Sequence, residues 1–225
     1  MSANAEDIYK DKDEIYYNNP RAELLPFIPP GIKTVLDIGC GSGNFGQALK
    51  SSYKCQVWGI EPNDEAAAAA KGKLDTVIHN VFLKDLPELQ GKKFDAIFFN
   101  DVLEHLINPG EALRNCKELL APDGCIIASI PNIRWYPVIL SLLRYKDFKY
   151  QPFGVMDETH LRFFTKKSMI RLFEDQGYKV EKIEGINKNT NFPPLNILNF
   201  LLFNTQEDMK YPQFAIVAKL NSNAG

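Results

Sequence analysis

A chain of 225 residues with 45% hydrophobic and 24% charged side chains is long enough to bury one sizeable core. Its 26 Lys and Arg against 28 Asp and Glu leave a formal charge of −2, which argues against a strongly basic nucleic-acid-binding surface. Four cysteines (Cys40, Cys55, Cys116, Cys125) without a CxxC pair, a polar acidic opening unlike a secretory signal, and no apolar run of roughly 18 residues point to a reduced, soluble, cytoplasmic chain.

Residues 1–31 read as a polar lead-in with aromatic anchors Tyr9, Tyr16 and Tyr17, closed by "PFIPPG". A strand is predicted over Thr34–Ile38, then a helix from about Asn44 to Lys50. "CQVWGIE" predicts a second strand, and "NDEAAAAAKGK" a helix capped by Asn63 or Asp64. "DTVIHN" is a short third strand. "KFDAIFFND" is nearly continuous apolar, the mark of a strand covered on both faces. A helix over "NPGEALRNCKELLAPDG", with Pro109 in its first turn and a Pro-Asp-Gly stop, leads to the buried strand "CIIASIPN".

This strict alternation implies a doubly wound α/β domain around a mostly parallel sheet. After Asn132 the regularity breaks. A long aromatic and cationic segment precedes a capped helix, "TKKSMIRLFEDQGY", and the strands "KVEKIEGIN" and "YPQFAIVAKL". The main domain is therefore drawn over residues 32–220, with cap insertions at 133–164 and 187–210 and a tail at 221–225.

A strand that runs into Gly39, Gly41 and Gly43 and then into a helix is a nucleotide-binding turn. "GSGNFG" fits G-x-G-x-x-G, so a dinucleotide such as NAD has to be weighed. Asp37 argues against it. A carboxylate at the strand end repels a pyrophosphate but suits a ligand bearing an ammonium and a sulfonium. Glu61, ending the second strand, matches the ribose hydroxyls of either cofactor.

With "VLDIGCGSG", "GIEPN", "FDAIFFNDVLEHL", "LLAPDGCIIASIPN" and "AIVAKL" in order, the chain resembles the class I S-adenosylmethionine-dependent methyltransferases from about Thr34 to Leu220. The resemblance implies a seven-stranded Rossmann-like sheet with a final antiparallel strand and a small helical acceptor cap. It assigns Asp37, Gly39, Gly41, Gly43 and Asn100 to the methionine end of S-adenosylmethionine, Glu61 to the ribose and Asn80 to the adenine. At position 80 the family often has an acid.

Methyl transfer to a hydroxyl needs an aligned oxygen and a route for its proton. Asp101, Glu104 and His105 follow the fourth strand directly, and a helical turn there would bring all three to one side. Two carboxylates and a histidine suit Mg²⁺ or another divalent metal, and "DETHLRFFT" can return His160 as a fourth ligand. The pattern is similar to that of ubiquinone-biosynthesis O-methyltransferases and small-RNA 2′-O-methyltransferases, which commonly have Glu in the place of Asp101. A metal-free histidine base and a purely structural brace stay open beside the metal.

"DETHLRFFT" also resembles a segment of methyltransferases that accompany glycan synthesis. Arg162 beside it offers a cation for an anionic acceptor, or a salt bridge to Asp157 or Glu158. Catalytic roles are thus expected of His105, His160 and Arg162, with a sugar hydroxyl as the first acceptor and a quinone-type phenol as the alternative. Residues 133–153 carry apolar side chains beside Arg134, Arg144, Lys146 and Lys149, and "FPPLNILNFLLF" (192–203) is a second apolar element. These suit a lid, a homodimer contact, or a membrane-peripheral surface for a lipid-linked substrate. A scaffold that binds the cofactor without turnover is the non-enzymatic alternative.

Overall fold

The computed structural model describes residues 21–83, 85–188, 199 and 205–221. Tyr9, Tyr16, Tyr17 and, Asn199 apart, the apolar run 192–203 lie outside the described residues. Seven strands form one sheet: β1 (Thr34–Ile38), β2 (Gln56–Glu61), β3 (Thr76–His79), β4 (Phe94–Asn100), β5 (Leu120–Pro131), β6 (Tyr178–Ile186) and β7 (Gln213–Leu220). Their spatial order is β3-β2-β1-β4-β5-β7-β6. The first five run parallel, while β7 is antiparallel to both β5 and β6. The doubly wound sheet expected from the sequence is present, with its final antiparallel strand.

Both faces are covered, which is why the strands read as continuous apolar runs. In β1, Val35 points to one side with Val57, Ala96 and Phe98. That side is packed by Phe45 and Leu49 of α1 (Asn44–Tyr53) and by Leu24 and Phe27. Leu36 and Ile38 point to the other side with Ile97 and Phe99, against Leu113 of α3 (Pro109–Cys116) and Phe173 of α5 (Lys166–Glu174). The period of two along each strand places alternate residues in two separate cores.

Helix starts follow local chemistry. Asn63 caps α2 (Asp64–Ala70) by accepting from Ala66 N at 2.9 Å. Thr165 caps α5 through a reciprocal box with Ser168. Within the lead-in, the 3-10 turn Ala22–Phe27 buries Leu24 and Phe27 in the core. Two expected helix ends are corrected. Helix α1 runs on to Tyr53.

Helix α3 stops at Cys116 rather than at Pro-Asp-Gly, and β5 has already begun at Leu120. The Pro-Asp-Gly lies in an irregularity of β5, between the pairings Phe94↔Leu120 and Ala96↔Cys125. Glycine is required there. A Cβ on Gly124 would lie 2.9 Å from the carbonyl oxygens of Ala121 and Phe94.

The cap insertion contains α4 (Tyr136–Tyr145), which has no buried residue. Its base is tied by Ile133 N donating to Phe164 O at 2.9 Å. Among the described residues no helix is long and apolar enough to cross a membrane.

Candidate functional site

Strand order reverses between β1 and β4, and the crevice at their carboxyl ends is where doubly wound sheets bind ligands. The glycine loop folds over this edge. Gly39 N and Cys40 N both donate to Ile60 O, at 2.8 and 3.1 Å, so the loop bends across the end of β2. Gly39 has φ 74°, and an added Cβ would meet Val102 Cγ2 at 2.6 Å. Gly43, also left-handed, opens α1.

Glu61 staples the loop from below. Its Oε2 accepts from Gly41 N at 2.8 Å and its Oε1 from Asn63 N at 2.9 Å. Burial pushes its carboxyl above the usual range, and those two N–H groups oppose the shift. Sequence reasoning gave Glu61 to the ribose alone and missed this backbone role.

Asp37 is 1% exposed, and its Oδ1 accepts a long 3.4 Å hydrogen bond from Asn100 Nδ2. Burial first, and Glu61 second, raise its carboxyl to about 8, with Arg21 pulling the other way. Asn100 Oδ1 is buried and accepts no hydrogen bond among the described residues. An acid and an amide oxygen short of donors at one crevice fit a cationic N–H-bearing group, as S-adenosylmethionine has at its amino acid end. Asn80 stands apart. It is exposed, and its Oδ1 already accepts from Val81 N at 2.8 Å.

Of the four residues grouped as metal ligands, three come together. One ligand atom each of Glu104, His105 and His160 lie within 4.8 Å of one another, and all three residues are buried. Asp101 turns elsewhere. It adopts φ 54°, ion-pairs with Arg21 at 2.7 Å, and accepts from Ser129 Oγ and Gln213 Nε2 at 3.0 Å each. The left-handed backbone at Asp101 replaces the regular helical turn expected, and only a 3-10 turn, Leu103–His105, follows.

Glu104 is 1% exposed, and neither carboxylate oxygen has a hydrogen-bond partner among the described residues. Burial, then Asp101, hold its carboxyl well above the usual range. His160 Nε2 lies 3.9 Å from Glu104 Oε1. The other ring nitrogens face backbone carbonyls. His160 Nδ1 is 3.2 Å from Val155 O, and His105 Nδ1 is 3.1 Å from Thr159 O. A carbonyl only accepts, so each of these Nδ1 atoms is the donor. Asp157 organises the turn by accepting from Thr159 N and Oγ1, at 2.8 and 2.6 Å.

Arg162 does not join this cluster, and the salt bridge expected to Asp157 or Glu158 is corrected. It is exposed, and its guanidinium donates to Leu161 O at 3.0 Å and Ile107 O at 2.7 Å rather than to Asp157 or Glu158. The residue that reasoning from sequence missed is Arg21. It is 8% exposed and sits against Asp101, Ser129 and Glu23. A lone arginine ahead of an apolar run carries no local signal. Only the folded edge brings it to residues about 80 and 108 positions away.

A glycine loop over a buried acid at the switch point of a doubly wound sheet defines a nucleoside-cofactor-binding domain. Comparison with known proteins narrows this. The family model described as "Methyltransferase domain" matches residues 12–183. The ubiquinone biosynthesis O-methyltransferase of Neisseria meningitidis serogroup A is 26% identical over 164 residues, 68% of this chain and 67% of the relative. That of Bradyrhizobium diazoefficiens is 31% identical over 112 residues, 48% of this chain, and the match spans only 44% of that relative's length. The crystal structure of a SAM-dependent methyltransferase from Archaeoglobus fulgidus superposes with TM-score 0.62 at 22% identity, covering 95% of this chain and 97% of that one.

The chain belongs to the methyltransferase-domain family, as a class I S-adenosylmethionine-dependent methyltransferase.

Proposed function

We propose that the protein transfers the S-adenosylmethionine methyl group to an oxygen, on an acceptor that brings a hydroxyl to the Glu104–His105–His160 cluster. The observation that carries this reading is the Glu104 carboxyl, buried without a hydrogen-bond partner among the described residues and within reach of two imidazoles oriented by backbone carbonyls. When bound, S-adenosylmethionine supplies a methyl carbon already activated by its sulfonium. Asp37 and Asn100 would hold its amino group, and Glu61, which staples the loop, would also meet the ribose. His105 or His160 takes the acceptor's hydroxyl proton at Nε2 as the oxygen attacks. Their Nδ1–H bonds to Thr159 O and Val155 O fix the rings for this.

The same three residues fit a divalent metal. Their donor set is one carboxylate and two imidazoles, each imidazole oriented by a carbonyl behind it. A metal there would lower the pKa of a coordinated hydroxyl and could grip two neighbouring oxygens. Three protein ligands leave positions open for an acceptor.

For the acceptor, the names of the curated relatives favour a quinone-type phenolic hydroxyl over the sugar hydroxyl first expected. The sugar reading rests on the "DETHLRFFT" stretch alone.

Labelled-methyl transfer to a catechol acceptor, with and without chelator, tests this. His160→Ala should lower turnover by roughly 10²-fold while leaving cofactor affinity unchanged. Normal turnover of that variant overturns the role of the cluster. Full activity in excess chelator removes the metal and leaves the histidine base.

A further inference from the structure

Outside the His105–His160 pair runs a chain of aromatic rings that the chemistry above leaves unused. The two imidazoles are 4.7 Å apart, centroid to centroid, and His160 is 6.3 Å from the ring of Phe163. Phe163 in turn meets Phe148 at 5.6 Å and Tyr150 at 6.2 Å, and Phe148 meets Tyr150 at 5.6 Å, nearly edge to face. The rings therefore form one continuous wall from the reacting centre to the surface.

An aromatic cluster on a loop is most simply that loop's own small core, and two observations argue against this here. Phe148 and Tyr150 remain 43% and 50% exposed, so the cluster buries only about half of each outer ring. The loop also has a separate framework. Gln151 N donates to Met156 O, Glu158 N to Gln151 O and Asp157 N to Gly154 O, while Val155, Met156 and Asp157 are buried. That framework also holds His160, through the bond between its Nδ1 and Val155 O. The loop thus orients the base and carries the outer rings beside it. Half-exposed rings held in place beside a reacting group present apolar faces to a ligand at little entropic cost.

We infer that Phe148, Tyr150 and Phe163 form the acceptor subsite and determine its specificity. The acceptor is a six-membered ring whose apolar face packs on this wall while one hydroxyl reaches His105 and His160. Both a catechol and a sugar with a cis-diol have that chemistry. The inference rests on O-methylation at the same cluster.

The test uses full-length protein saturated with S-adenosylhomocysteine and two probes, catechol and methyl α-D-mannopyranoside, with ring binding read by saturation-transfer NMR. Phe148→Ala and Tyr150→Ala, both at half-exposed positions, should each weaken the bound probe about tenfold. S-adenosylhomocysteine affinity and the melting temperature should stay as in wild type, and Tyr150→Phe should restore probe binding. Which probe binds identifies the source of the ring.

Unchanged probe affinity in both alanine variants overturns the subsite, as does failure of both probes to bind wild type. Labelled-methyl transfer to the bound probe separates the two readings. Ring-dependent binding without transfer overturns O-methylation and leaves the subsite standing. Transfer with a KM indifferent to the alanine variants does the reverse.

Discussion

Asp37 is where the chemistry of the cofactor becomes measurable. With its carboxyl raised from 3.8 to about 8 by burial, the folded protein without ligand holds a proton that the unfolded chain has lost between those values. Its contribution therefore makes the unliganded protein less stable as pH rises from about 4 to about 8. A cationic ligand reverses the preference and expels the proton. Affinity for S-adenosylmethionine should therefore climb with pH up to about 8 and level off above it. Calorimetry at pH 7 in two buffers of different ionisation enthalpy should show release of about one proton on binding. Asp37→Asn should abolish both the release and the slope. Proton release that survives in Asp37→Asn would assign it to another group. The identity of Asp37 was legible because an acid two residues before a glycine run is a local pattern. Its partnership with Asn100, 63 residues away, was legible only through the family resemblance.

At the scale of elements, the strands were readable because each is buried on both faces, and the Asn63 and Thr165 caps because they are local chemistry. One element was misread where tertiary contacts override local signals. Helix α3 was extended through Leu120, whose side chain belongs to the sheet's core and pairs with Phe94. The end of α3 depends on a distant residue. Lys117 N donates to Arg114 O, and the carbonyl of Leu113 accepts from Tyr178 Oη at 2.7 Å. Tyr178 is 1% exposed, and burial pushes its phenol far up, so it acts as a fixed neutral donor. Tyr178→Phe keeps the ring packing and leaves a buried carbonyl without that donor. It should cost about 1 kcal/mol in urea unfolding with an unchanged m-value. No loss would mean that water or a backbone shift satisfies Leu113. Helix α4, by contrast, was legible as an apolar face but not in what it packs on, because no residue of it is buried.

Over the whole molecule, the carboxyl edge gathers Asp37, Asp101 and Glu104 around Arg21, which pairs with Asp101 and opposes the upward shifts of the other two. Arg21 enters from the residues ahead of β1, Asp101 follows β4, Ser129 belongs to β5 and Gln213 to β7. This one network ties together segments from both ends of the chain, so its cost and benefit are global rather than local. Arg21→Ala removes the cation and leaves Asp101 with Ser129 and Gln213 alone, beside an acid already resisting ionisation. Asp101 keeps some contact with water, its side chain being 24% exposed, so the loss should fall at about 1 to 3 kcal/mol, below that of a fully buried pair. Much of that loss is the charge left behind rather than the bond removed. Arg21→Ala combined with Asp101→Asn should therefore recover a measurable part of the stability lost in Arg21→Ala alone. Guanidinium unfolding of wild type, both single variants and the double variant completes the cycle. If the double variant is as unstable as the sum of the singles, Arg21 contributes through something other than its pairing with Asp101, and the edge carries its acids without needing the cation.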